Sequence, residues 1–194
     1  MTEKNLTDLI SHAKWSIITN EFSLADICLS LNFKDSMALA YDLFFKNHYD
    51  DEIQDFGVRL FFSIRENYPE WNIDWKNDAF LGKLCSITWR YDEMYECYKR
   101  AYDKLTDPPD SLLLLLASCN SAPGTPPISD EEAEKYLKRA IDKKLTYEAA
   151  LKMRGVTKDP MQKNYWDLVM TDLENNNIHT ETIIPDILSL QNRR

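Results

Sequence analysis

Between residues 50 and 78 the chain gathers the side chains best suited to gripping another molecule. Five carboxylates, Asp51, Asp55, Glu70, Asp74 and Asp78, are interleaved there with Phe62, Trp71 and Trp75. Acids beside large aromatic rings suit recognition of a basic protein: the charges steer the encounter and pair with Lys or Arg, and a desolvated aromatic anchor supplies most of the binding energy. The spacing divides this work between two segments. On a helix opening at Asp50, Val58 and Phe62 fall in line with Asp51 and Asp55, which gives that helix a second face, part apolar and part acidic. In residues 69–78, one helical turn puts Trp71 and Trp75 on one side and Asp74 and Asp78 on another. Each feature has a structural alternative. The acids at residues 50–52 also suit the positive end of a helix dipole, and either indole could plug the junction between the first helices and the remainder of the chain.

Catalytic and cofactor chemistry has no comparable cluster. The four glycines, Gly57, Gly82, Gly124 and Gly155, are too dispersed for a loop that cradles phosphate. His12, His48 and His179 have no partner at metal-ligand spacing. No serine elbow or cysteine-nucleophile motif occurs. A carboxylate pair such as Asp51 and Asp55 sits one turn apart, a spacing that arises by chance in an acidic helical chain. The expectation is a protein without enzymatic activity, metal or cofactor.

Charge and composition narrow the partner. The net charge is −9, and residues 1–98 carry 17 acids against 9 bases, residues 99–170 carry 11 against 12, and residues 171–194 carry 4 against 2. Such a field repels nucleic-acid phosphate and attracts basic proteins; ordinary solubility explains it equally. The pentaleucine at residues 112–116 is flanked by Asp110, Ser111 and Ser118, far short of the roughly 20 apolar residues of a membrane span. The first residues lack a basic segment followed by an apolar one, so no secretory signal is expected. Cys28, Cys85, Cys97 and Cys119 show no paired spacing and lie in apolar stripes, which reads as reduced core thiols in a cytoplasmic protein.

The elements that must position these residues all read as helices. Leu6, Leu9, Ile10, Ala13 and Ile17 form a stripe over residues 6–20, with Asn5 or Thr7 as cap. Ser23 caps a short second helix, residues 35–46 form a third, and residues 50–67 form a long fourth that Tyr68 and Pro69 end. Beyond residue 145, helices are expected at residues 146–154, ending at Gly155, and from Pro160, carrying Met161, Tyr165, Leu168, Val169 and Leu173, to the asparagines at 175–177. A last short helix at residues 185–190 is expected to cover the end of a helical stack. The fold class is all-α, about ten helices and no strand. The regions read as an acidic helical segment, residues 1–78, and a repeat segment with capping helices, residues 79–194, together forming one compact unit.

Residues 92–105 align with residues 131–144 at an offset of 39, with Glu93/Glu132, Lys99/Lys138, Arg100/Arg139, Ala101/Ala140, Asp103/Asp142 and Lys104/Lys143 identical. Upstream, Phe80, Leu81, Gly82 and Cys85 shifted by 34 residues place Leu81, Gly82 and Cys85 on Leu115, Leu116 and Cys119, and Ser129 with Glu132 forms a capping box. Over residues 79–145 this pattern resembles the tetratricopeptide (including Sel1-like) repeat family, with Met94, Tyr98 and Ala101 in the second-helix places. Met94 and Leu116 depart from the family's small residues. The resemblance implies a short solenoid of helix pairs that binds proteins or peptides, holding an extended peptide against polar residues of the first helices near Lys83, Ser86 and Arg90. In overall character the chain also resembles bacterial toxin-immunity proteins, including those of contact-dependent growth inhibition. That likeness implies a basic toxin domain, commonly a nuclease such as a ribonuclease, whose active site the acidic half would occlude.

Overall fold

A computed structural model describes residues 3–47 and 49–189 of the chain, with side chains from Leu6 onward. His48, the Asn5 side chain, the first residues and Leu190, all read from the sequence, lie outside that range. Among the described residues there is no strand, and twelve α-helices succeed one another. They are α1 (Glu3–Ser11), α2 (Trp15–Glu21), α3 (Leu24–Ser30), α4 (Phe33–Phe45), α5 (Asp51–Asn67), α6 (Lys76–Ile87), α7 (Tyr91–Asp103), α8 (Asp110–Ser118), α9 (Asp130–Lys143), α10 (Tyr147–Val156), α11 (Pro160–Asn175) and α12 (Asp186–Ser189). A 3-10 turn at Pro69–Ile73 precedes α6, and another at Cys119–Ser121 comes after α8. The chain forms two compact units: Met1–Asn77 with Ile184–Arg194, and Asp78–Ile183.

In the first unit the caps are the ones polar side chains favour. Ser23 and Asp26 form a reciprocal capping box on α3, Asn32 accepts from the Asp35 N–H at the start of α4, and Asp50 accepts from the Ile53 N–H at the start of α5. Helices α4 and α5 approach most closely at Gly57, where a Cβ would stand 3.1 Å from both the Ala40 carbonyl oxygen and the Phe44 nitrogen. Around that crossing Met37, Leu43, Leu60, Phe61 and Ile64 are fully buried. The Tyr68 hydroxyl lies 2.6 Å from the carbonyl oxygens of Cys28 and Leu31 and 3.1 Å from the Ser36 hydroxyl, tying the end of α5 to the end of α3.

Three expectations need correction here. The first helix is broken, not continuous over residues 6–20, and Thr7 lies inside α1 instead of capping it. Ala13 takes a left-handed φ of 52°, with its N–H donating to Ile10 and the Lys14 N–H donating to Leu9. That is the Schellman pattern, here without glycine. The mixed second face expected on α5 is absent, because Val58 is fully buried and Phe62 half-buried beneath the Arg65 guanidinium, 4.8 Å from its ring. Helix α5 meets α2, α3 and α4, so its apolar stripe is wider than one row. The terminal helix α12 packs on α4 and therefore completes the first unit instead of covering the end of the repeats.

In the second unit, sequence neighbours pack on one another from α7 to α11, and α8 also meets α10. The offset of 39 holds between α7 and α9: Met94, Tyr98 and Ala101 are buried, as are Ala133, Leu137 and Ala140. Between α6 and α8 the burial pattern repeats at 32 residues, not 34. Phe80, Leu81, Gly82, Leu84 and Cys85 match Leu112, Leu113, Leu114, Leu116 and Ala117, so Leu115 is not the inward partner of Leu81. All four cysteines are buried thiols and none forms a disulfide.

At Gly82 a Cβ would stand 2.5 Å from the Tyr98 ring, and that ring is buried and cannot swing away. Gly82→Ala should therefore destabilise the protein by about 1–3 kcal/mol. Gly155, also helical but with nothing within 4 Å, should gain about 0.4–1 kcal/mol when changed to Ala. Urea denaturation of the two variants checks both signs.

Candidate functional site

Of the eight residues read as a binding edge, two are interior and the others differ in exposure. Trp71 is fully buried, and the Asn77 side-chain amide donates to its carbonyl oxygen at 2.9 Å. Asp78 belongs to the other unit and its side chain has no exposure. Lys104 Nζ lies 2.7 Å from one of its carboxylate oxygens and Arg100 Nε 3.4 Å from the other. Both residues are therefore structural, and their assignment to a partner surface is corrected. A local spacing of four shows which side chains share a side, but not whether that side turns inward. Asp74 is half-buried, accepting from the backbone N–H groups of Lys76 at 2.9 Å and Asp186 at 3.0 Å, so it caps two helices. Asp55 pairs with Arg59 one turn along, at 2.9 Å. Asp51 and Glu70 are exposed, and Phe62 and Trp75 half-buried.

A concave site does appear in the second unit, at the first helix of each expected pair. A cleft of about 510 Å³ is lined by Ala79, Lys83 and Ser86 of α6, by Ser111, Leu115 and Ser118 of α8, and by Glu148 and Lys152 of α10. On α6 and α8 these positions recur at intervals of four and three, and on α10 at an interval of four, the spacings of one helical face. Lys83 and Ser86, two of the three polar residues named for a groove in the sequence, line this cleft. Arg90 does not line the cleft; it lies 3.9 Å from Glu93.

The fourth wall is the chain itself at residues 180–183, which belong to no helix or strand. Four contacts hold that segment and the residues before it against α10. The Tyr147 N–H donates to the Ile178 carbonyl at 3.0 Å, and the Thr180 N–H donates to Glu148 Oε2 at 2.8 Å. The Thr146 and Thr180 hydroxyls are 2.7 Å apart, and His179 Nδ1 lies 2.8 Å from Glu148 Oε1. Burial pushes the Glu148 carboxyl up, but the hydrogen bonds from His179 and Thr180 outweigh it and hold the group below the ordinary glutamate range.

The two amines are the electrostatic core of the cleft. Burial pushes the Lys152 ammonium below the ordinary lysine range, and the charge of Lys83 adds to the shift. Neither lysine has a carboxylate partner among the described residues. Two like charges beside a low-dielectric wall repel each other, so an anion lying between them would be held by both. Sequence reasoning named Lys83 and Ser86 but missed Glu148, Lys152 and the strap at residues 180–183. The signal available was the polar face of α10, where Glu148 and Lys152 stand one turn apart in the expected third pair.

Other features are less concentrated. A depression of about 820 Å³ in the first unit, lined by Asp8, Ser11, Asn32 and Asp35 among others, is wide and shallow. Among the described residues no three His, Cys, Asp or Glu side chains gather as metal ligands would. No helix there is long and apolar enough to cross a membrane. Burial raises the thiols of Cys28 and Cys119, the latter to about 12, and a hydrogen bond to Cys97 together with burial raises that of Cys85, so these three stay protonated. Against known proteins, no family model matches this chain, and no curated protein or solved structure matches it either.

Two measurements separate site from scaffold. Asp78→Asn leaves Lys104 facing no counter-charge and should cost about 3 kcal/mol, whereas Asp51→Asn, at an exposed position, should stay within about 0.5 kcal/mol; thermal unfolding reads both. The folded protein disfavours the charged form of Lys152, so the unfolded chain binds the extra proton and stability should rise with pH from the lowered value up to the ordinary 10.5. Lys152→Met should accordingly stabilise the protein by about 0.5–2 kcal/mol at neutral pH and flatten that slope. Destabilisation at pH 7 would mean that the amine has a structural partner.

Proposed function

We propose that the protein is a non-catalytic scaffold that holds an extended, acidic peptide segment of another protein in the cleft of α6, α8 and α10. The observation that carries this reading is the pair of amines, Lys83 and Lys152, which line one groove without an ion pair to either among the described residues, in a lining that also holds the carboxylates of Glu148 and Glu181. The serines of α6 and α8 offer hydroxyls to a peptide backbone, and Leu115 offers apolar contact between them. The chain's own non-helical segment at residues 180–183 forms one wall of this groove and offers backbone groups to a peptide laid beside it. Four buried thiols fit work in the reducing cytoplasm.

A second reading, neutralisation of a basic toxin as by the immunity proteins of bacterial contact-dependent growth inhibition, rests on the exposed Asp51 and Glu70 and the half-buried Trp75. It would place the interface in the first unit and needs neither Trp71 nor Asp78.

Fluorescence anisotropy with matched acidic, neutral and basic extended peptides tests the first reading. Acidic peptides should bind best, and Lys83→Glu with Lys152→Met should weaken them at least about tenfold, a difference of about 1.4 kcal/mol. Asp51→Asn with Glu70→Asn should leave that binding unchanged. Tightest binding of a basic partner, lost in the Asp51 and Glu70 variant alone, would overturn the groove reading in favour of the second.

A further inference from the structure

Helix α11 presents an apolar row to solvent. Met161, Tyr165 and Leu168 are 80%, 58% and 73% exposed, and at intervals of four and three they share one face. Of the residues expected to pack inward along this helix, only Leu173 is buried. The inner side is accounted for: Asp167 pairs with Arg154 of α10, and Trp166 lies beside Met153 and Thr157. The row is therefore not a loosely packed core stripe but a separate outward face. A helix at the end of a stack that exposes such a face needs another surface to cover it.

The charges at the two ends of the row identify that surface. Lys158, 85% exposed and only distantly paired with Asp130 at 3.9 Å, stands just before the first turn, and Asp172, also exposed, continues the row in the last turn. Between them no charged side chain falls on this face. The pattern is self-complementary about Tyr165, which lies seven residues from each end. If a second copy of α11 is laid antiparallel across the first, Lys158 meets the mate's Asp172, Met161 meets Leu168, and Tyr165 meets its own image. A parallel arrangement would set Asp172 against Asp172 and Lys158 against Lys158.

We propose that α11 is the two-fold interface of a homodimer, closed by antiparallel packing of Met161, Tyr165 and Leu168 against their symmetry mates and by reciprocal Lys158 to Asp172 pairs. Such an interface is isologous and stops at two copies. One helix pair is small as interfaces go, so the dimer dissociates at about micromolar concentration. This surface uses no residue of the peptide cleft, and the dimer stands or falls independently of that reading.

Sedimentation equilibrium of the full chain from about 1 to 300 μM tests the proposal. The wild type should move from monomer to dimer without larger species, and Leu168→Glu should raise the dissociation constant at least about tenfold. Circular dichroism and thermal unfolding of that variant establish that it is folded. The charge exchange is the sharper arm: Lys158→Glu alone and Asp172→Lys alone should each weaken the dimer, while the double variant should restore it, because every ion pair reappears reversed. Tyr165→Cys, placed on the two-fold axis, should form a disulfide-linked dimer under mild oxidation while the buried native thiols do not react. A monomer at every concentration, open-ended association, or a double variant no better than its weaker parent would overturn the proposal.

Discussion

Helices α6 and α7 come together where Gly82 lies under the Tyr98 ring, and the second unit depends on that contact. No side chain fits between them. The absence of a Cβ sets how near the two helices can lie, and hence which face of α6 remains to line the cleft. With Gly82 turned inward beside Leu81 and Cys85, the positions three and four residues apart on the other side, Ala79, Lys83 and Ser86, are the ones left to face the groove. The electrostatic site is thus a by-product of a steric one. Asp78, one turn before Gly82, adds a buried carboxylate clamped by Lys104 and Arg100 across the same helix pair. A charge removed from water is tolerated only with its partner in place, so losing Lys104 or Arg100 would leave the Asp78 carboxylate buried with less compensation.

Much of this was legible locally. The bounds of α5 derive from its acidic cap, its apolar spacing and Pro69, and the burial of Ala101 and Ala140 derives from the repeated heptad-like pattern of α7 and α9. Failures arose where the deciding fact is not local. Among the described residues three helices end with a non-glycine residue in the left-handed region, Ala13, Trp89 and Asn177, each succeeded by an N–H that reaches back five residues. Asparagine signals such an end and alanine does not, so the end of α11 could be read and the break after α1 could not. Trp71 and Asp78 have the composition of a binding edge, and only the packing of the chain around them shows that they are interior. Lys152 carries only the local mark of standing one turn from Glu148: a lysine on a polar helix face becomes a site only when α6 brings Lys83 into the same cleft.

The return of the chain at residues 184–189 has a consequence for biosynthesis. Since α12 packs on α4 and its first N–H is capped by Asp74, the first unit is assembled from both ends of the sequence, with residues 78–183 inserted between. That insertion is 106 residues long, counting from 78 to 183. At roughly 5–20 residues per second on the ribosome, its translation takes about 5–20 s. Through that interval the amino-terminal helices wait with the α12-binding face of α4 bare, while the inserted unit, contiguous in sequence, can complete itself. The inserted unit can therefore be complete before α12 reaches its place on α4.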